Sequence, residues 1–351
     1  MADLRLLLDL DVGNLIQDKR SCLFNTNLLP ELPSFSRKAS CTQFKSRIQN
    51  AISFLPSAVS YEAYYWVQRH FGGLRKVVPT SKFIAAIDTW KRIQRQDRSP
   101  IGKVFFEVGT GRAPMVPVGF WLMGAESTIT IDLNPYLKDA LIAEHLRYIS
   151  ENEAEILALF GTLIDRERLK TLVAFGAQPK IKTTEFLDLC KIVYIAPGDA
   201  AKTNLPEQQI DFHTSYTVFE HIPAEILSAI LKEGNRITKD NGLFIHRIDY
   251  SDHFSHSDKT ISAINFLQYS DQEWAKYAGN RYMYMNRLRH DDYLALFSNV
   301  GQQVVEAEPT FDPRSAEILK NHRLPLNDRF SCKSPEVLAF SGAWMVTQKS
   351  R

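Results

Sequence analysis

Two groups of residues in this chain have the types and spacing to do chemistry. In the first, the apolar run 104–108 contains an acid, Glu107, and is followed directly by Gly109, Thr110 and Gly111. An acid at a strand end before a Gly-x-Gly turn is how an open parallel sheet brings backbone N–H groups close to a nucleotide-like ligand. Asp132 closes a second apolar run, 127–132, at about the distance downstream where a carboxylate grips a ribose diol. In the second group, Asp249, Asp252, His253, His256 and Asp258, preceded by His246, form the densest ionisable cluster of the chain. Imidazoles and carboxylates together move protons near neutral pH, and they also suit hard or borderline divalent ions. No spacing in the cluster is diagnostic of a metal, so no metal ligand is assigned; the bland alternative is a solvated polar loop. Glu220-His221 is a further carboxylate and imidazole pair.

These residues need a scaffold, and the pattern supplies one. Short apolar runs at 103–108, 127–132, 191–195, 210–216 and 243–248 alternate with helical periodicity, as in a doubly wound, mostly parallel α/β sheet. A helix is expected over 223–238, a turn over 239–242, and two late strands at 303–308 and 343–348 complete seven. Residues 1–98 show helical spacing without strand alternation, strongest at 61–71 and 81–93. The polar run 94–99 ends in the helix breaker Pro100, so the chain is expected to divide into an α-helical N-terminal extension, 1–100, and an α/β domain, 101–351. Insertions are expected at about 150–190 and at 249–290, since both stretches exceed what a single crossover needs. The second leaves the C-terminal edge of the sheet, where open α/β sheets bind ligands, and is the expected substrate cover.

Composition narrows the partners. Forty-two Lys and Arg against forty Asp and Glu leave a net charge of +2, so no global field favours nucleic acid or an anionic membrane. The basic stretch 69–76 has aromatics nearby, but in a balanced chain nucleic acid is not the expected partner. Cys22, Cys41, Cys190 and Cys332 form no CxxC pair, and reduced thiols in a cytoplasm fit best. The apolar cluster at 4–10 is interrupted by Arg5 and Asp9 and does not read as a signal peptide, and no apolar run reaches membrane-spanning length.

Taken together, Glu107-Val108-Gly109-Thr110-Gly111, Asp132, Gly198-Asp199-Ala200, the block from Asp211 to Pro223 and the block 231–245 resemble the class I S-adenosylmethionine-dependent methyltransferases. The resemblance covers roughly residues 103–250 and leaves the first hundred outside. One departure is Ala113, followed by Pro114, where the family commonly has a third glycine. The resemblance implies S-adenosyl-L-methionine as cofactor and a Rossmann-like fold. It sets Glu107 and the Gly109, Thr110 and Gly111 backbone along the methionine part of the cofactor and Asp132 on its ribose. It also implies Asp199 and Ala200 at the adenine, and Ser215 and Tyr216 lining the floor near the methyl group. The family carries a Glu-His pair across different substrates, which favours packing or capping for Glu220 and His221.

The expected activity is therefore methyl transfer to a small-molecule acceptor, with His246, Asp249 or His253 as the base if the acceptor is a hydroxyl. Asn286, Arg287, Arg289 and His290 either grip an acidic or sugar-like acceptor or start a helix with exposed arginines. Asp211 reads as a turn or edge contact. Two other classes use the same turn: an NAD(P)-dependent oxidoreductase, against which Pro114 stands, and a cofactor-binding regulatory protein without transfer activity.

Overall fold

Four short apolar runs of four to seven residues, flanked by turn residues, pair here with three strands of 10–12 residues into one sheet. The computed structural model describes Ile52, residues 57–280 and residues 282–350; the apolar cluster at 4–10, Cys22 and Cys41 lie outside the described residues. The strands are β1 (Val104–Val108), β2 (Ser127–Ile131), β3 (Ile192–Ile195), β4 (Ile210–Tyr216), β5 (Thr238–Asp249), β6 (Gln302–Phe311) and β7 (Phe340–Lys349). Their spatial order is β3-β2-β1-β4-β5-β7-β6. The first five run parallel, and β7 lies antiparallel to both β5 and β6. Strand order reverses between β1 and β4, so the crevice at their C-terminal ends is the topological switch point where such sheets take ligands.

The expected turn at 239–242 is instead part of β5. Ile210 pairs with Thr238 and Phe212 with Leu243, and a bulge between them absorbs the four polar residues. The Lys239 ammonium holds that bulge to Asp211, 2.8 Å away, and Asp211 also accepts from the Val104 N–H at 3.0 Å, the edge role expected for it. A bulge accommodates extra residues without breaking the ladder, which is why a polar run read as a turn.

Both faces of the sheet are covered. On one, the helix Thr80–Arg95 buries Phe83, Ala86, Trp90 and Ile93 against Phe105, Phe120 and Phe212. Trp90 stacks parallel to Phe105, and Phe105 on Phe120, with centroids 6.0 and 4.3 Å apart. On the other face the helices Ala224–Ile237 and His290–Asn299 bury Leu227, Leu231, Tyr293 and Phe297. Between β2 and β3 run the helices Asp139–Glu151, Glu153–Phe160, Arg166–Gly176 and Thr183–Leu189. The excursion after β5 has a core of its own, in which Phe254, Phe266, Leu267 and Trp274 meet Phe330 and Leu338. Its helix Asp271–Ala278 starts from a capping box of Ser270 and Glu273. Cys190 is buried and Cys332 exposed, and both are free thiols. No helix among the described residues is long and apolar enough to cross a membrane.

Candidate active site

The end of β1 is shaped by backbone geometry that only glycine adopts easily. Gly109 has φ +89° and Gly111 φ +68°. The Gly109 N–H donates to the Ile131 carbonyl at 2.8 Å, and a Cβ on Gly109 would stand 2.5 Å from a Val218 methyl. The turn is therefore clamped between β2 and the loop after β4.

Register puts Glu107 beside Thr130 of β2. The Thr130 hydroxyl donates to Glu107 Oε2 at 2.7 Å, and because its one hydrogen is used there, Thr110 must donate to Thr130 Oγ1 at 2.6 Å. Burial pushes the Glu107 carboxyl up to about 7, with the Thr130 hydrogen bond and the Lys82 charge opposing it only in part. Asp132, at the end of β2, accepts from the Gly111 N–H at 2.9 Å and from the Asn134 N–H at 3.2 Å, one bond to each oxygen. Each carboxylate oxygen has a second acceptor site, so diol hydroxyls still have somewhere to donate.

The remaining residues expected at the cofactor are arranged less uniformly. The Gly198 N–H donates to the Asp132 carbonyl at 2.9 Å, which ties the loop after β3 to the end of β2. Asp199 is exposed and its Oδ1 accepts from the Ala201 N–H at 2.8 Å, while Ala200 is buried beneath it. Ser215 is buried with its hydroxyl 2.8 Å from His246 Nδ1, and Tyr216 is half-buried with the Lys82 ammonium 4.9 Å above its ring.

His246 sits differently from its expected place in the cluster. It lies inside β5 with no exposed surface, its ring against Phe219 and Phe297, and burial pushes its pKa well below the usual range. Alternation along β5 puts it on the same side as Phe244 and Ile248, which is core. Asp249 and His253 do come together, Oδ2 to Nε2 at 3.4 Å, with side chains 20% and 18% exposed. Burial alone would raise Asp249, but His253 and the Ser251 hydroxyl and N–H outweigh it and hold the carboxyl at about 2. Asp252 turns inward instead and accepts from the Phe254 N–H and the Asn265 side chain.

Glu220 and His221 join this cluster, and the N-cap of the next helix, Pro223, supplies no side-chain cap. His221 Nδ1 lies 2.8 Å from the Tyr284 carbonyl, and its ring meets His253 edge-on with centroids 4.9 Å apart. Burial and the neighbouring His253 push His221 down to about 4. The expected grip of residues 286–289 on an acceptor gives way to scaffolding: Asn286 donates to the Phe219 and Ile222 carbonyls, Arg287 to those of Phe266 and Tyr269, and Arg289 to those of Tyr250, Leu338 and Phe340. Both arginines are buried, not exposed at a helix start.

Some site residues carried no signal in the motifs. Lys82 comes from the helix Thr80–Arg95, outside the resemblance; burial pushes its ammonium down while the Glu107 and Glu220 carboxylates pull it up. The Arg112 guanidinium stands 4.4 Å from the Tyr136 ring and 5.5 Å from that of Tyr65, and Tyr61 meets Tyr136 edge-on at 5.6 Å. Helical spacing at 61–71 announced a buried face, but which partner it covers is a tertiary fact.

A family model described as "Methyltransferase domain" matches residues 169–246, from within the helix Arg166–Gly176 to the middle of β5. This segment is similar to methyltransferase domains. Glu107, the glycine turn and Asp132 precede the matched segment. No curated protein matches by sequence. Among solved structures, a chain of the complex between the Haloferax volcanii Trm112 methyltransferase activator and a methyltransferase is 15% identical, covering 82% of this chain and 95% of that one with a TM-score of 0.42. A SAM-dependent methyltransferase from Methanosarcina mazei is 13% identical, with coverage of 74% and 97% and a TM-score of 0.39. An S-adenosylmethionine-dependent methyltransferase from Mesorhizobium loti is 11% identical, with coverage of 75% and 100% and a TM-score of 0.39. At such scores the likenesses fix no detail of the site.

Proposed function

We propose that the protein is an S-adenosylmethionine-dependent methyltransferase acting on a small-molecule acceptor, with the helix Thr80–Arg95 and the excursion after β5 as walls of its cleft. One observation carries the cofactor: Asp132 is held by the Gly111 and Asn134 N–H groups with acceptor capacity to spare, beside a buried, only partly compensated Glu107. A ribose diol suits the first and an ammonium the second. Gly109 and Gly111 leave room for the backbone to approach between them.

S-adenosylmethionine supplies an electrophilic methyl on a sulfonium, and transfer forms the bond from acceptor to carbon as the carbon–sulfur electron pair returns to sulfur. Charge is lost from sulfur in that step, so positioning and a dry site contribute most. If the acceptor is a hydroxyl, Asp249 and His253 are the candidate bases. His246 is not used, because it has no surface from which to reach an acceptor.

Calorimetric titration of the protein separately with S-adenosylmethionine and NAD tests the reading. Binding of the first that weakens at least about tenfold in Asp132→Ala is expected. Binding of NAD alone would replace the proposal with the oxidoreductase reading.

A further inference from the structure

Among the described residues, the Glu220 carboxyl is one of the buried polar groups without a side-chain partner. It is 2% exposed, and neither oxygen makes a hydrogen bond. Burial pushes its pKa well above the usual carboxyl range, and the nearby Asp249 charge adds to this; the backbone N–H groups of Glu220 and Asp249 and the Arg247 guanidinium oppose it only in part. A buried carboxylate left in this state is costly, and side chains so placed are paired or coordinate a cation.

Two imidazoles face it. Glu220, His221 and His253 each offer one ligand atom, and the three atoms lie within 4.8 Å of one another. Because the Tyr284 carbonyl can only accept, His221 Nδ1 carries the hydrogen and Nε2 keeps its lone pair. An imidazole fixed by a backbone carbonyl on its far nitrogen is the usual arrangement of a metal-bound histidine. His253 Nε2 is also buried and faces Asp249 Oδ2 at 3.4 Å.

A second set, Asp249, His253 and His256, has the same ligand spacing. Hydrogen-bond logic disfavours it. The Ser251 hydroxyl donates its hydrogen to Asp249 Oδ1 at 2.6 Å, so its oxygen must accept from His256 Nε2, 2.8 Å away. That nitrogen is then protonated and offers no lone pair.

We propose that Glu220, His221 and His253 form a binding site for one divalent transition-metal cation at the C-terminal end of β4 and β5, with Asp249 beside it. Two imidazoles and one carboxylate select a borderline cation such as Zn²⁺ or Co²⁺ over Mg²⁺, and three protein ligands leave a position open for water or an acceptor oxygen. Ligand atoms about 2.0–2.2 Å from such a metal stand about 3–3.5 Å apart, so side-chain rotations of about 1 Å close the set. The proposal does not depend on which cofactor occupies the β1–β2 end.

Full-length protein, stripped with a chelator, is titrated with Zn²⁺, Co²⁺ and Mg²⁺ by calorimetry, and bound metal is counted by elemental analysis. One Zn²⁺ or Co²⁺ per chain is expected, with visible d–d absorption from Co²⁺ and Mg²⁺ at least about tenfold weaker. Glu220→Gln and His253→Ala are each expected to weaken binding at least about tenfold, and His256→Ala to leave it within about twofold. If either variant fails to fold by circular dichroism, His221→Gln takes its place. Absence of one-to-one binding, binding unchanged in those variants, or a loss in His256→Ala as large as theirs would each overturn the site.

Discussion

The two ends of the crevice hold similar side chains in opposite conditions. At the β1–β2 end, both oxygens of Asp132 have backbone donors and Glu107 sits in a run of hydroxyls with Thr130 and Thr110. At the β4–β5 end, the Glu220 side chain is buried with no side-chain partner, and His253 Nε2 faces Asp249 Oδ2 at 3.4 Å. The first end is organised by backbone and register, so it is rigid before any ligand arrives. The second keeps unsatisfied groups, so its order depends on what binds there.

The largest expected effect lies at the rigid end. Gly109→Ala forces a side chain onto a backbone at φ +89° and drives its Cβ to 2.5 Å from Val218. A loss of more than about 3 kcal/mol in urea unfolding, together with loss of cofactor binding, is expected. A loss below about 1 kcal/mol would show that the turn is not clamped after all.

Next comes Glu107. Its folded carboxyl titrates at about 7 against an ordinary 4.5. The folded state therefore holds the proton longer: stability is greatest below the unfolded value, falls as pH rises from 4.5 to 7, and is level above. The gap corresponds to about 3 kcal/mol. Unfolding of the ligand-free protein across that range should show the slope, and Glu107→Gln should flatten it.

The smallest pair is the sharpest comparison. Thr130→Val strips Glu107 of its hydroxyl and should cost about 1 kcal/mol. Glu220→Gln removes a buried carboxyl whose pKa burial holds well above the usual range, and should raise metal-free stability at pH 8 by a similar amount. Matching signs in chemical denaturation would erase the distinction between the two ends.

The β1–β2 end was more legible in the sequence than the β4–β5 end, for physical reasons. β4 was legible to the residue, since an apolar run bounded by turn residues has little freedom in where it starts and stops. The start of β5 was not, because a bulge hides four polar residues inside a ladder. His246 was misplaced because strands buried on both faces show no alternation of polarity, so a core histidine looks like the first member of the polar loop behind it. Glu220 and His253 belong to segments more than thirty residues apart in sequence, and no spacing rule reaches across that distance. Lys82 was invisible because its helix matches no motif, only a period.

That helix has one more consequence. Thr80–Arg95 is 16 residues long, about 24 Å at 1.5 Å per residue. Near its start Lys82 hangs over Tyr216, and near its end Arg92 and Arg95 are bound to Glu306 and Glu308 of β6, one of the two edge strands. Edge strands fray first, and here fraying at the rim would pull on a stiff rod whose other end holds an ammonium in the crevice. Loosening the rim by Glu306→Gln would then be felt in the chemistry across the sheet, like a shutter worked from the far side of its frame.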